Sequence, residues 1–113
     1  MTDILETPPR IHSRSRITEE LALKFILPKV KKMRLRVLQE IHDHEKGLTG
    51  SEIVKNIDGY IVSVRPRLTE LNEFGLIRNL EDKRKNARGM FELVWKITTM
   101  GKQVIESEAN EQN

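Results

Sequence analysis

The chain has 113 residues, 37% hydrophobic and 33% charged, with 20 Lys and Arg against 17 Asp and Glu for a formal net charge of +3. That length suits one domain with an arm and a tail, and leaves little room for a deep active-site cavity. The lack of cysteine excludes disulfides and thiolate metal sites and fits a reducing cytoplasm. No apolar run approaches the ~18 residues of a membrane span, and the acidic opening Met1–Glu6 lacks the basic-then-apolar order of a signal peptide.

The distribution of charge says more than its sum. Lys24, Lys29, Lys31, Lys32, Arg34 and Arg36 follow one another without an intervening acid, and Lys83, Arg84, Lys85 and Arg88 form a second cluster. Acids gather at Glu40, Asp43 and Glu45 and again at Glu106, Glu108 and Glu111. Segregation of this kind builds a basic face on a nearly neutral protein.

Residues 1–16 hold Pro8-Pro9 and then Arg10, Arg14 and Arg16 among serines, with no apolar period, and read as a flexible arm. A domain over 17–107 and a disordered tail over 108–113 complete the organisation. Thr18-Glu19-Glu20 opens a short apolar helix, Leu21 to Leu27, with its acids at the positive end of the dipole. Pro28 breaks that segment and suits the first turn of the next. Val30, Met33, Val37, Leu38 and Ile41 then recur at helical spacing from Lys29 to His44, ended by Lys46-Gly47.

Thr49-Gly50-Ser51-Glu52 matches a capping box and predicts a second core helix over roughly Gly50 to Asn56, turned at Asp58-Gly59. A third helix is expected from Ser63 as N-cap, because a start at Asp58 would bury Pro66 in the helix interior at a cost of about 3 kcal/mol. Val64, Leu68 and Leu71 form its inward stripe, and Gly75 suits a left-handed cap. Leu76 to Leu80 reads as a strand, Glu81 to Gly89 as a polar loop, and Met90 to Thr98 as a second strand. In that strand Phe91, Leu93, Trp95 and Ile97 alternate with Glu92, Val94, Lys96 and Thr98 and are expected to pack on the helices, Trp95 as core. Thr99 is the expected cap of a last helix running to about Ser107.

Three core helices, a two-stranded wing and flanking terminal helices make a mostly helical α+β fold, a winged helix-turn-helix. In that arrangement the third helix enters the major groove. Its outward residues Ser63, Arg65, Arg67, Thr69, Glu70 and Asn72 are the candidate reading residues, and all but Glu70 are the expected DNA contacts: arginine can pair with guanine O6 and N7, and asparagine with adenine. Lys83, Arg84, Lys85 and Arg88 on the wing suit phosphates or a flanking minor groove. Arg10, Arg14 and Arg16 offer a minor-groove arm or only an unstructured terminus. His42 and His44 lie two apart, on different sides of a helix, with no ligand set around them, so no metal is expected. No nucleophile–base arrangement or glycine-rich phosphate loop is visible, so neither enzyme activity nor a cofactor is expected.

Ser63 through Leu71, Gly75-Leu76-Ile77-Arg78, and Val94 through Thr98 resemble small winged-helix proteins of bacteriophages and prophages. More distantly they resemble MarR-type regulators, in which a helix ending E-L-x-x-x-G-L-I precedes the wing. Thr98-Thr99-Met100-Gly101-Lys102 is similar to the threonine-x-x-glycine-basic opening that follows the wing there. The resemblance spans residues 30–105. It implies a double-stranded DNA-binding regulator of transcription or replication, with Arg65 and Arg67 on the recognition helix and Lys83 to Arg88 on the wing. A homodimer through the terminal helices, Ile17 to Leu27 with Met100 to Ser107, follows as an expectation. Two alternatives stay open: a phage adaptor that binds a host protein, and an RNA-binding winged helix.

Overall fold

The computed structural model describes residues 16–112. Residues 1–15, with Arg10 and Arg14 of the expected arm, lie outside the described residues, and Arg16 opens the first helix. Helix α1, Arg16–Ile26, buries Ala22 and Ile26 and runs into a 3-10 turn, Leu27–Lys29, with Pro28 in its first turn. Lys32 then takes φ 54°, ψ −123°, and α2 begins only at Met33 and ends at His42. The helix expected from Lys29 is therefore shorter, and its basic run is divided among a turn, a strained joint and a helix. Val37, Leu38 and Ile41 of α2 are fully buried.

Gly47, at φ +89°, reverses the chain and lets Leu48 bridge Trp95 in antiparallel fashion. Helix α3, Gly50–Ile57, starts with the expected capping box: the Glu52 N–H donates to Thr49 Oγ1 at 3.2 Å, and the Thr49 N–H to Glu52 Oε1 at 3.0 Å. Asp58 in the left-handed region ends it.

Helix α4, Ile61–Glu73, begins two residues before the expected N-cap Ser63. Tyr60 is extended, and its carbonyl accepts the N–H groups of both Ser63 (2.9 Å) and Val64 (3.0 Å). Pro66 thus sits inside the helix. Its missing N–H would have met the Val62 carbonyl, and Val62 and Pro66 are both exposed. The vacated acceptor lies on the solvent side, where water can satisfy it, so the full interior cost does not apply. At the other end Leu76 N–H donates to the Leu71 carbonyl and Gly75 N–H to that of Asn72, both at 3.0 Å, with Gly75 at φ +78°. This pairing closes the helix and aims the chain into the sheet.

Strand β1, Ile77–Arg78, pairs antiparallel with β4, Lys96–Ile97; β2, Lys83–Lys85, pairs with β3, Phe91–Leu93. The hairpin is thus interrupted, with residues 79–82 facing Val94 and Trp95. Lys83, Arg84 and Lys85 lie in a strand and not in the loop expected over Glu81 to Gly89. The turn is Asn86 to Met90: the Asn86 N–H bonds the Met90 carbonyl at 2.8 Å, and Asn86 Oδ1 accepts the N–H groups of Arg88 and Met90. The expected apolar strand face is only half internal. Trp95 and Ile97 pack against the core, but Phe91 and Leu93 are exposed, because the helical body reaches only the base of the hairpin.

Helix α5, Thr99–Gln112, is capped by Thr98, one residue before the expected Thr99. The Thr98 hydroxyl accepts the Gly101 N–H at 3.1 Å and donates to the Gly75 carbonyl at 2.7 Å. The helix continues past Ser107 through residues expected as tail. Glu108, nearly buried, pairs there with Lys31 at 2.6 Å. Helices α2, α3 and α4 pack on one another around Ile41, Ile53, Val64, Leu68 and Leu71, with α5 against α2 and α1 against α5. Among the described residues no helix is long and apolar enough to cross a membrane.

Candidate nucleic-acid interface

The register of α4 decides which side chains face outward. With Val64, Leu68 and Leu71 buried, a turn of 100° per residue puts Val62, Pro66, Thr69 and Glu73 on the opposite arc. Arg65 and Asn72 fall on one margin; Ser63 and Arg67 fall on the other. Arg65, Thr69 and Asn72 are exposed and Ser63 is half-buried. Val62, not singled out from sequence, is 78% exposed on this arc, and Tyr60, the extended N-cap, is 76% exposed. A register counted from Ile61 would have found Val62.

Arg67 is folded back along the helix. Its Nε and Nη2 donate to the two carboxylate oxygens of Glu70 at 2.6 and 3.0 Å. Glu70 also accepts Arg34 Nε from α2 at 2.9 Å, and Arg34 Nη1 donates to the Lys29 carbonyl. The hydrogen bond from Arg67, then that from Arg34, holds the Glu70 carboxyl at about 2, against an ordinary 4.5. The Arg67 guanidinium is raised, first by its bond to Glu70. Arg67 therefore joins a strut between α2 and α4.

The wing is docked on α3 by a second network. Arg84 and Glu92 are cross-strand partners. Arg84 reaches Glu52 Oε1 at 2.5 Å. Glu92 accepts the Ser51 N–H at 3.1 Å, the Ser51 hydroxyl, and the Asn86 side-chain amide at 2.6 Å. Burial pushes the Glu92 carboxyl up, but the bonds from Ser51 and Asn86 and the charge of Arg65 outweigh it and bring it below its ordinary value. Glu52 is lowered likewise: burial raises it, and Arg84 and the Thr49 N–H overcome that.

The nine expected contact residues thus divide. Ser63, Arg65, Thr69 and Asn72 border the outward arc of α4, while Arg67 and Arg84 are held in ion pairs. Lys83 and Lys85 are exposed on the outer face of the β2–β3 ladder beside Phe91, with Lys85 Nζ 5.3 Å from that ring, and Arg88 is exposed in the turn. His42 and His44 bond locally, to Asp43 and to the Glu40 carbonyl.

No protein-family model and no curated protein matches the chain. Solved structures do resemble it. A possible transcriptional regulator from Methanosarcina mazei Go1 aligns over 94% of this chain and 92% of its own, at 12% identity and TM-score 0.55. A point mutant of S. aureus MepR aligns over 81% of this chain and 66% of its own, at 19% identity and TM-score 0.58. The fold is a winged helix-turn-helix. Within it α3 and α4 form the helix-turn-helix and β2–β3 the wing, and the expected mostly helical α+β class is the one found.

Proposed function

We propose that the protein binds double-stranded DNA as a small regulator of transcription or replication, of the phage type its sequence resembles, in the cytoplasm. In this reading α4 lies in the major groove and the wing rests on flanking backbone or in the minor groove. The observation that carries it is the set of cations left exposed on α4 and on the wing. Arg65, at the margin of the outward arc, is exposed. The wing beyond presents Lys83, Lys85 and Arg88 without ion-pair partners among the described residues. The structural likeness to a possible transcriptional regulator supports the same reading. A dimer through α1 and α5 suits a two-fold operator, with Leu21, 48% exposed on α1, as an apolar contact; a monomeric mass by light scattering at high concentration would remove it.

Leu80, Met90, Phe91 and Leu93 are also exposed around the wing. This apolar patch favours the second reading, an adaptor that docks a host protein through the wing. Fluorescence anisotropy with mixed-sequence duplex DNA across a salt series separates the two. The DNA reading expects about 4–6 phosphate contacts, hence a steep loss of affinity with salt. It also expects weaker binding by Arg65→Ala and by a combined Lys83→Ala, Lys85→Ala, Arg88→Ala variant. No binding at low salt rejects it and leaves the adaptor.

A further inference from the structure

The N-terminal half of the outward arc of α4, ahead of Glu73, is apolar where a helix laid in a major groove meets base edges. Val62, in the first turn, is 78% exposed. Pro66 follows one turn later on the same side and has no polar side-chain atom. Thr69 follows on the same arc and is exposed; its hydroxyl donates back to the Arg65 carbonyl at 3.3 Å, so that donor is already engaged. The flanking cations do not fill this row: Arg65 stands at one margin, and Arg67 is bound to Glu70 at the other.

Among base-pair edges in the major groove, thymine offers a methyl group, and the other features are donors and acceptors. Valine and proline side chains can neither donate nor accept, so the methyl is what they can distinguish. We infer that Val62, with Pro66 and Thr69, recognises thymine 5-methyl groups, so that the protein selects duplex sites carrying thymine beneath the first turns of α4. This rests on the DNA-binding reading and adds the base feature that is read. The surrounding charge selects the occupant: Arg65 and the wing cations Lys83, Lys85 and Arg88 complement a polyanion, and duplex DNA presents methyl groups between two rows of phosphates.

The test uses the full chain and duplexes that the wild-type protein enriches from a random-sequence library. Each thymine of an enriched site is replaced by deoxyuridine, which keeps base pairing and removes only the methyl. At contacted positions the wild type should lose about 4-fold in affinity per methyl, the value of one buried carbon group. Val62→Ala, a change at an exposed position that leaves the fold intact, should bind the thymine duplex more weakly and lose most of the thymine–uracil difference. Enriched sites without thymine, no uracil effect in the wild type, or a full uracil effect in Val62→Ala would each overturn the inference while leaving DNA binding in place. Failure to retain any duplex at low salt would instead reject the DNA-binding reading, and this inference with it.

Discussion

Glu92 on the wing accepts the backbone N–H of Ser51, in the first turn of α3, at 3.1 Å and its hydroxyl as well. The contact sets a carboxylate at the positive end of a helix dipole and ties the hairpin to the helix-turn-helix. Glu92→Ala should therefore cost about 1 kcal/mol, below the usual ~1.5–3 for a bond to a charged group because the site is half-exposed. Hydrogen exchange should localise the effect. The Asn86 amide, bonded across the turn to Met90, should exchange faster in the variant, while α2 amides stay protected to near the new global stability. A wing unchanged in exchange would mean that the ladder holds without its dock.

Glu70 gives the protein an acid-sensitive strut. Its carboxyl titrates at about 2 in the fold and near 4.5 when released, because Arg67 and then Arg34 bond the charged form. A depressed carboxyl pKa contributes stability that is complete above about 4.5 and is lost as pH falls toward about 2. Denaturant midpoints for the wild type should thus fall across that window more steeply than those of Glu70→Gln, which is less stable at neutral pH and loses less on acidification. Parallel slopes would remove the strut.

Much of this is legible in the sequence. The capping box at Thr49 and Glu52, the inward stripe Val64, Leu68 and Leu71, and the glycine stop at Gly75 follow from spacing and backbone chemistry alone. What escapes the sequence is set by long-range partners. Pro66 reads as a helix-start signal because its cost depends on which face the vacated carbonyl occupies, and that is a tertiary fact. Arg84 looks like a free cation along the chain, but Glu52, on another element, captures it; Arg67 has Glu70 only three residues on, but Arg34 of α2, which fixes that carboxylate, is a distant partner. Phe91 and Leu93 alternate like a core face, and periodicity does not reveal that the helices stop at Trp95.

Two glycines should be intolerant and a third permissive. A Cβ on Gly47, at φ +89°, would lie 2.6 Å from Val94 Cγ1 and 2.8 Å from the Trp95 carbonyl oxygen. On Gly101 it would run into the Leu76 carbonyl oxygen and lie 2.6 Å from Ile97 Cγ1. Alanine at either position must part the hairpin base or α5 from its neighbour, at about 3 kcal/mol. Gly89 also has positive φ, +81°, but open space around it, so Gly89→Ala should cost only about 1 kcal/mol of backbone strain. Thermal melts of the three variants rank these costs; equal losses at Gly47 and Gly89, the two with positive φ, would mean that conformation, not crowding, dominates there.

Lys32 holds a backbone region that favours glycine, φ 54° and ψ −123°, at the entrance to α2. A residue with a Cβ is strained there by roughly 1–3 kcal/mol, against about 0.5–1 kcal/mol of chain entropy that glycine costs. Lys32→Gly should raise the urea midpoint by about 1 kcal/mol equivalent without moving the circular dichroism spectrum. A lower midpoint would show that the joint relaxes around lysine.

Releasing Arg67 should change DNA affinity in a direction opposite to its effect on stability. In the proposed complex Glu70 neutralises Arg67 and puts a negative charge near the phosphates. Glu70→Gln removes that charge and frees a guanidinium with its planar row of donors. Binding to mixed-sequence duplex should then tighten severalfold at low salt, and the slope of log affinity against log salt should steepen by about one contact, ~0.9. The gain should vanish in Arg67→Ala/Glu70→Gln if Arg67 is the group released. If it persists, the lost repulsion of Glu70 alone accounts for it, and Arg67 belongs to the scaffold in the bound state as in the free one.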